Sequence, residues 1–191
     1  GIIWIGPRPE VMASLGDKVA AKKIAKAANI PIIESNKNDL IDVKTAIKEA
    51  EKIGYPVMLK AASGGGGRGM RVIRKKDELE NAFNSAKREA LNAFGDDTVF
   101  IEKYVEDPKH IEIQIAADNE GNTIHLYERD CSVQRRFQKV VEVAPAIGLD
   151  QEIKEQLYEY AVSLAKAVDY NNVGTVEFLV DKDKNIYFIE V

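Results

Sequence analysis

Between Asp77 and Phe94 the apolar positions Leu79, Ala82, Phe83, Ala86, Ala90 and Leu91 recur every three or four residues. This is the period of a helix with one buried face, and Gly95-Asp-Asp supplies its stop. The same spacing predicts a helix over 17–28, with Asp17 as N-cap and Asn29 as stop, and another over 39–53, closed by Gly54 ahead of Pro56. A long helix is expected over 150–168. Elsewhere the apolar residues come in short runs bounded by turn residues: 31–33, 55–60, 70–73, 99–103, 111–117, 123–128, 139–143, 174–180 and 186–191. Runs of this length read as strands, and Glu120-Gly-Asn122 and Asp181-Lys-Asp-Lys-Asn185 read as hairpin turns. Helices alternating with antiparallel hairpins favour an α+β fold over a doubly wound parallel sheet. Asp107-Pro108 interrupts the pattern, so a seam is expected near 103–109.

Composition narrows the function classes. The 191 residues are 45% hydrophobic and carry 27 basic and 31 acidic side chains, for a net charge of −4. Such a chain can bury a substantial core and has no electrostatic reason to bind nucleic acid or membranes in general. Its single cysteine, Cys131, excludes a disulfide framework and a Cys-rich zinc site. The apolar opening Ile2–Ile5 stops at Gly6-Pro7, and no apolar run reaches the length of a membrane span. Strand-like segments at both termini suggest a piece of a longer protein.

Three stretches carry candidate chemistry. In Lys60–Met70, KAASGGGGRGM, four consecutive glycines stand between two expected strands. Bare backbone there can turn successive amides inward to cradle an anion, with Lys60 and Arg68 adding positive charge. A hairpin tip that binds nothing is the alternative. Glu177 and Glu190 lie on the two strands of the last hairpin and are expected to oppose one another, a pair able to hold Mg²⁺ beside a phosphate or simply to face solvent. Arg129–Lys139, RDCSVQRRFQK, reads as a cationic loop entering a strand, either solvated or holding an anion. Neither Cys131 nor Ser132 has a histidine nearby in sequence to act as base. His125 reads as structural, and His110 as open in role.

In order along the chain, GDKVAAK (16–22), KAASGGGGRGM, EKY (102–104), HIEIQ (110–114), ERDCSVQRRFQKVVEVAPA (128–146), GTVEF (174–178) and FIEV (188–191) resemble the biotin carboxylase family of ATP-grasp enzymes. The VVEVAP and FIEV wordings look most like the pyruvate carboxylase members of that family. The resemblance implies that ATP phosphorylates bicarbonate to carboxyphosphate, whose CO₂ then carboxylates N1′ of biotin. It implies ATP-phosphate or base contacts for Lys18 and Lys60, and a lid over the β- and γ-phosphates built on the amides of Gly66 and Gly67. Glu102, Lys103, Tyr104 and Val105 would run along the adenine, with His110 and Gln134 near the ribose or phosphates. Lys139 would be the catalytic lysine near bicarbonate, and Glu177 and Glu190 the carboxylates for Mg²⁺ or Mn²⁺. The implied subdivision is a linker and first helix (1–35), a lid subdomain (36–103) and part of the core subdomain (104–191).

Implied partners are ATP, bicarbonate, a biotin carrier domain and a carboxyltransferase of a homo-oligomeric parent; cytoplasm is the default location, although a parent from the mitochondrial matrix would look the same in this window. Phe137 departs from the family, in which a histidine or another polar residue is common there. The family also continues past the second metal glutamate with Asn-Pro-Arg and Gln-Val-Glu-His, so the fragment alone is expected to bind nucleotide weakly without completing the reaction. Another ATP-grasp ligase such as a carbamoyl-phosphate synthase would share the lid and metal glutamates, but the wording from Gln134 to Glu142 argues against it. A nucleotide-binding module without chemistry would have no need of Lys139 and Glu177.

Overall fold

The computed structural model describes residues 1–2, 4–36, 40–63 and 70–191. Within them the chain forms α1 (Pro9–Gly16), α2 (Lys18–Ala27), α3 (Val43–Ile53), β1 (Val57–Ala61), β2 (Arg71–Ile73), α4 (Lys76–Phe94), β3 (Val99–Lys103), β4 (Lys109–Ala117), β5 (Thr123–Arg135), β6 (Gln138–Val143), α5 (Gln151–Ala167), β7 (Asn172–Val180) and β8 (Ile186–Glu190). These elements divide into two compact units: Gly1–Ile32, Asp107–Arg135 and Lys139–Val191 form the first, and Ile33–Glu106 with Arg136–Gln138 the second.

The second unit is a three-stranded sheet in the order β2-β1-β3, antiparallel throughout, with α3 and α4 packed on it. Val57, Leu59, Ile73 and Ile101 from the strands meet Ala46, Ala50, Leu79 and Phe83 from the helices in its core. Local chemistry sets the helix ends. The Asp42 carboxylate accepts from the Thr45 amide at 2.7 Å to cap α3, and Gly95 takes the left-handed conformation, φ 72°, that closes α4. At the start of α4 no side chain caps through Lys75. Instead, Glu78 reaches back to accept from the Arg74 amide at 2.9 Å. The four glycines at 64–67 and Arg68 lie outside the described residues, Gly66 and Gly67 among them.

The first unit is a five-stranded antiparallel sheet in the order β6-β5-β4-β7-β8. One face packs on α2 and α5. Ile111, Ile113 and Ile115 of β4, Val176, Phe178 and Val180 of β7, and Ile186 and Phe188 of β8 point into that core with Ala25, Leu157, Ala161 and Leu164. Because side chains alternate along a strand, the intervening residues of β4 and β7 must face the other way. These are His110, Glu112, Gln114, Thr175 and Glu177. A polar sheet face is therefore the direct counterpart of the apolar one.

Three features differ from the sequence expectation. Helix α1 was not anticipated, because only Val11 and Leu15 of its eight residues are buried and it begins at a proline. No strand forms at 31–33; Ile32 and Ser35 make isolated bridges to Phe188 and Glu102. The segment 129–139 is not a loop but a hairpin, in which β5 runs on to Arg135 and returns as β6 through Arg136 and Phe137, at φ 54° and 63°. Its charges hide the strand from a hydrophobicity reading, although Arg129 among them lies on the polar face opposite Glu112.

Candidate functional site

The polar face of the first unit begins with a register. Glu112 of β4 stands opposite Arg129 of β5 on one side and Glu177 of β7 on the other, and Glu177 in turn stands opposite Glu190 of β8. The last pairing depends on a shift of register in β8. Phe178 pairs with Phe188 while Glu177 pairs with Glu190, so Ile189 is the extra residue of a bulge. Simple alternation from Ile186 and Phe188 would send Glu190 into the apolar core, and the bulge re-aims it beside Glu177.

Glu112 and Glu177 are opposed across β4 and β7, and two carboxylates so placed, roughly 5 Å apart, repel by about 3 kcal/mol at an effective dielectric of about 20. Lys139 of β6 answers that repulsion. Its Nζ donates to Glu177 Oε1 at 2.6 Å and also to Glu112 Oε2. Arg129 donates from Nε to the other Glu112 oxygen at 2.5 Å and from Nη1 to Gln114 Oε1 at 3.1 Å, while Glu142 lies 3.7 Å from the Arg129 Nε. Burial would lower the pKa of Lys139, but hydrogen bonds and charge from Glu112 and Glu177 outweigh it and hold the ammonium above the ordinary lysine range. Burial would likewise raise Glu177, and the hydrogen bonds from His110 and Lys139 reverse that, leaving its carboxyl below the usual range. The cluster thus keeps Lys139 cationic and Glu177 anionic at neutral pH.

His110 joins the cluster through a 2.6 Å contact between its Nε2 and Glu177 Oε2. On its other side the Gln134 Nε2 lies 2.7 Å from Nδ1 and also donates to the Cys131 carbonyl at 2.9 Å. That second bond fixes the amide so that its N–H meets the ring, which makes Nδ1 the acceptor and Nε2 the donor to Glu177. Thus His110, Gln134, Lys139 and Glu177 are brought together, and Glu190 is placed opposite Glu177. Sequence reasoning missed Glu112 and Arg129. Their signal was present in the alternation of His110, Glu112 and Gln114 with three isoleucines, which exposes one consistent polar face.

In the second unit, Glu102, 2% exposed, pairs with Lys60, 17% exposed. Register accounts for this, since Met58 opposes Glu102 and Lys60 lies two residues along the same face of β1. The Lys103 ammonium is turned to the backbone, donating to the Gly54 carbonyl at 2.8 Å and the Tyr55 carbonyl at 3.3 Å. The Tyr104 amide donates to Pro56 at 3.2 Å, and Val105 follows, half-buried. Lys18 opens α2, directly after the Asp17 cap whose carboxylate accepts from the Ala20 amide at 2.7 Å.

Glu112, Cys131 and Glu142 place one ligand-type atom each within 4.8 Å of one another. They do not suit a metal, because Cys131 is held as the thiol. Burial, followed by the nearby Glu112 charge, pushes the Cys131 thiol up to about 12, far from the thiolate that would ligate or attack. Among the described residues, no helix is long and apolar enough to cross a membrane.

Comparison with known proteins gives this arrangement a lineage. The family model described as carbamoyl-phosphate synthase L chain, ATP binding domain, matches residues 17–191. The chain is 51% identical over all 191 residues to a biotin carboxylase of Halalkalibacterium halodurans, spanning 42% of that protein. It is also 51% identical over its whole length to the mitochondrial pyruvate carboxylase of Mus musculus, spanning 16% of it. The solved biotin carboxylase domain of Hydrogenobacter thermophilus 2-oxoglutarate carboxylase, in complex with MgADP, ADP and bicarbonate, superposes with a TM-score of 0.93 at 47% identity, over 100% of this chain and 42% of that one. The chain therefore belongs to the family of carbamoyl-phosphate synthase L chain ATP-binding domains and, among ATP-grasp enzymes, groups with the biotin carboxylases.

Proposed function

We propose that this chain is the ATP-grasp portion of a biotin carboxylase, acting within pyruvate carboxylase or a related biotin-dependent carboxylase. In this reading bicarbonate oxygen attacks the γ-phosphorus of ATP, ADP leaves, and the resulting carboxyphosphate breaks into phosphate and CO₂. Biotin N1′, losing its proton, then takes up the CO₂. The observation that carries the reading is Lys139, a cation held between Glu112 and Glu177 on a sheet face that also presents His110, Gln134 and Glu190.

Each residue has a task that suits its setting. Lys139, kept as an ammonium, would hold the bicarbonate anion and steady negative charge on the transferring phosphoryl group. Glu177 and Glu190, hard oxygen donors opposed in register with Glu177 ionised, fit Mg²⁺ or Mn²⁺, which when bound would neutralise phosphate charge. His110 orients Glu177, and Gln134 orients His110. Lys60 would contact phosphate or base and Glu102 the adenine end. Because the Lys103 side chain and the Lys103 and Tyr104 amides are engaged elsewhere, adenine would meet this segment through other groups, the Val105 backbone among them. Lys18 and the Gly66 and Gly67 amides complete the assignment, with residues 36–103 as the lid subdomain and 104–191 as core. Biotin would arrive on a carrier domain and pass its carboxyl group to a carboxyltransferase in an oligomeric parent. Cytoplasm or the mitochondrial matrix suits this role, and the mouse relative is named as mitochondrial.

The test is ADP release by the full-length carboxylase carrying this sequence, with Mg²⁺-ATP and bicarbonate, with and without free biotin. Biotin should stimulate turnover, and Lys139→Ala should lower kcat by about a hundredfold or more, within the range for loss of one charge-stabilising group. Hydrolysis indifferent to both bicarbonate and biotin would overturn the carboxylase reading.

A further inference from the structure

We propose that Arg129 is a positioning residue for the carboxylation reaction, acting through Glu112 to hold the Lys139 ammonium in place; this rests on the function proposed above. The argument begins with charge. Glu112 and Glu177 are opposed across β4 and β7, and Lys139 is shared between them. One lysine cannot balance two carboxylates, and Arg129 brings the second positive charge. It arrives in register, opposite Glu112 on the far side of β4 from Glu177, so the row across three strands reads Arg129, Glu112, Glu177.

Geometry adds a division of labour between the two Glu112 oxygens. Oε1 is taken by Arg129 Nε and Oε2 by Lys139 Nζ. Glu112 is 3% exposed, so water does not compete for either oxygen to any useful extent. A planar guanidinium suits this grip because its fork engages two partners at once, and here the second is the Gln114 oxygen at 3.1 Å. Gln114 is itself anchored, its Nε2 donating to the Gly174 carbonyl at 2.8 Å. A chain of bonds therefore runs from the β7 backbone through Gln114 and Arg129 to Glu112. With Glu112 fixed, Lys139 has one defined seat. Without Arg129, the carboxylate is free to rotate and to take both oxygens to Lys139, drawing the ammonium away from Glu177.

The test is a double-mutant cycle in the full-length carboxylase. Arg129→Met should lower kcat for biotin-dependent ADP release 10- to 100-fold with less than a threefold change in KM for ATP. In a Glu112→Gln background the same substitution should change kcat by less than threefold, because Arg129 acts through the group already altered. Arg129→Lys, which keeps the charge and loses the fork, should recover part of kcat. Equal factors in both backgrounds, or an effect confined to KM, would overturn the proposal. If Arg129→Met fails to fold by circular dichroism, Arg129→Lys carries the same cycle.

A second readout needs no turnover. Reductive methylation of Lys139, followed by mass spectrometry, should be several-fold slower in Arg129→Met than in the wild type, because the ammonium then takes both Glu112 oxygens, and the same substitution should leave labelling unchanged in the Glu112→Gln background. Unchanged labelling in Arg129→Met alone would also overturn the proposal. An enzyme whose ATP turnover ignores bicarbonate, yet whose Lys139 labelling follows the cycle, would refute the carboxylase reading and leave the positioning role standing.

Discussion

Glu128 shows what a single buried charge does in this chain. It accepts from Lys154 Nζ at 2.6 Å, from the Ala146 amide at 3.1 Å and from the Tyr158 hydroxyl, and is 2% exposed. Burial would raise its pKa, yet Lys154 and Tyr158 bring it below the ordinary 4.5. A carboxyl depressed on folding stabilises the protein above its unfolded pKa and loses that contribution as pH falls through the folded value. Urea midpoints should therefore decline on acidification below about pH 4.5, the reference value of an unperturbed glutamate. The Glu128→Gln variant should be less stable at pH 7 by about 3 kcal/mol, the usual consequence of leaving a buried cation without its partner, and its midpoint should fall less steeply with acid. A wild-type midpoint that holds from pH 7 to about pH 5 and falls below about pH 4.5 would agree with this, whereas a variant as acid-sensitive as the wild type would contradict it.

Secondary-structure elements were legible where one face is apolar and the ends carry caps. Helix α4 starts one residue before its expected position and ends where Gly95 stops it, and α3 begins after Asp42 rather than at Asp39. The Asp42 cap is a local interaction, so Asp42→Ala should cost the chain about 1 kcal/mol without altering ATP turnover. Thermal or urea unfolding checks this. Strand β5 was cut short at Glu128 in the reading because Arg129, Asp130, Ser132 and Gln134 break any apolar run. The hairpin exists because β4 pairs with the polar stretch and supplies partners for its charges. The bulge at Ile189 was equally invisible, since a one-residue change of register leaves no mark on composition or period.

The two units each enclose a core of their own, and the sheet orders set which backbone is best protected. Strand β4 is paired on both sides along its length and buries Ile111, Ile113 and Ile115 completely, while β6 is an edge strand with most of its residues exposed. Amide hydrogen exchange should be slowest in β4 and β7 and faster by orders of magnitude in β6, where an unpaired side opens without disturbing the core. Comparable protection in β6 and β4 would contradict this ordering.

Sequence alone determined the class of the fold, most of its elements, the hairpin whose strands carry Glu177 and Glu190, and a resemblance dense enough to name the family. Those properties are written in local period, in turn residues and in short ordered motifs, each read within a few positions along the chain. Tertiary structure decided which charges meet. Glu112 is brought between Arg129 and Glu177 by pairing across 17 residues in one direction and 65 in the other, as their numbering gives. Lys139 is drawn to both carboxylates by a turn that reads as loop, and Glu190 reaches the same face through a bulge. Electrostatic partners depend on distance in space, and strand register, which sets that distance, is fixed by the packing of the opposite, apolar face.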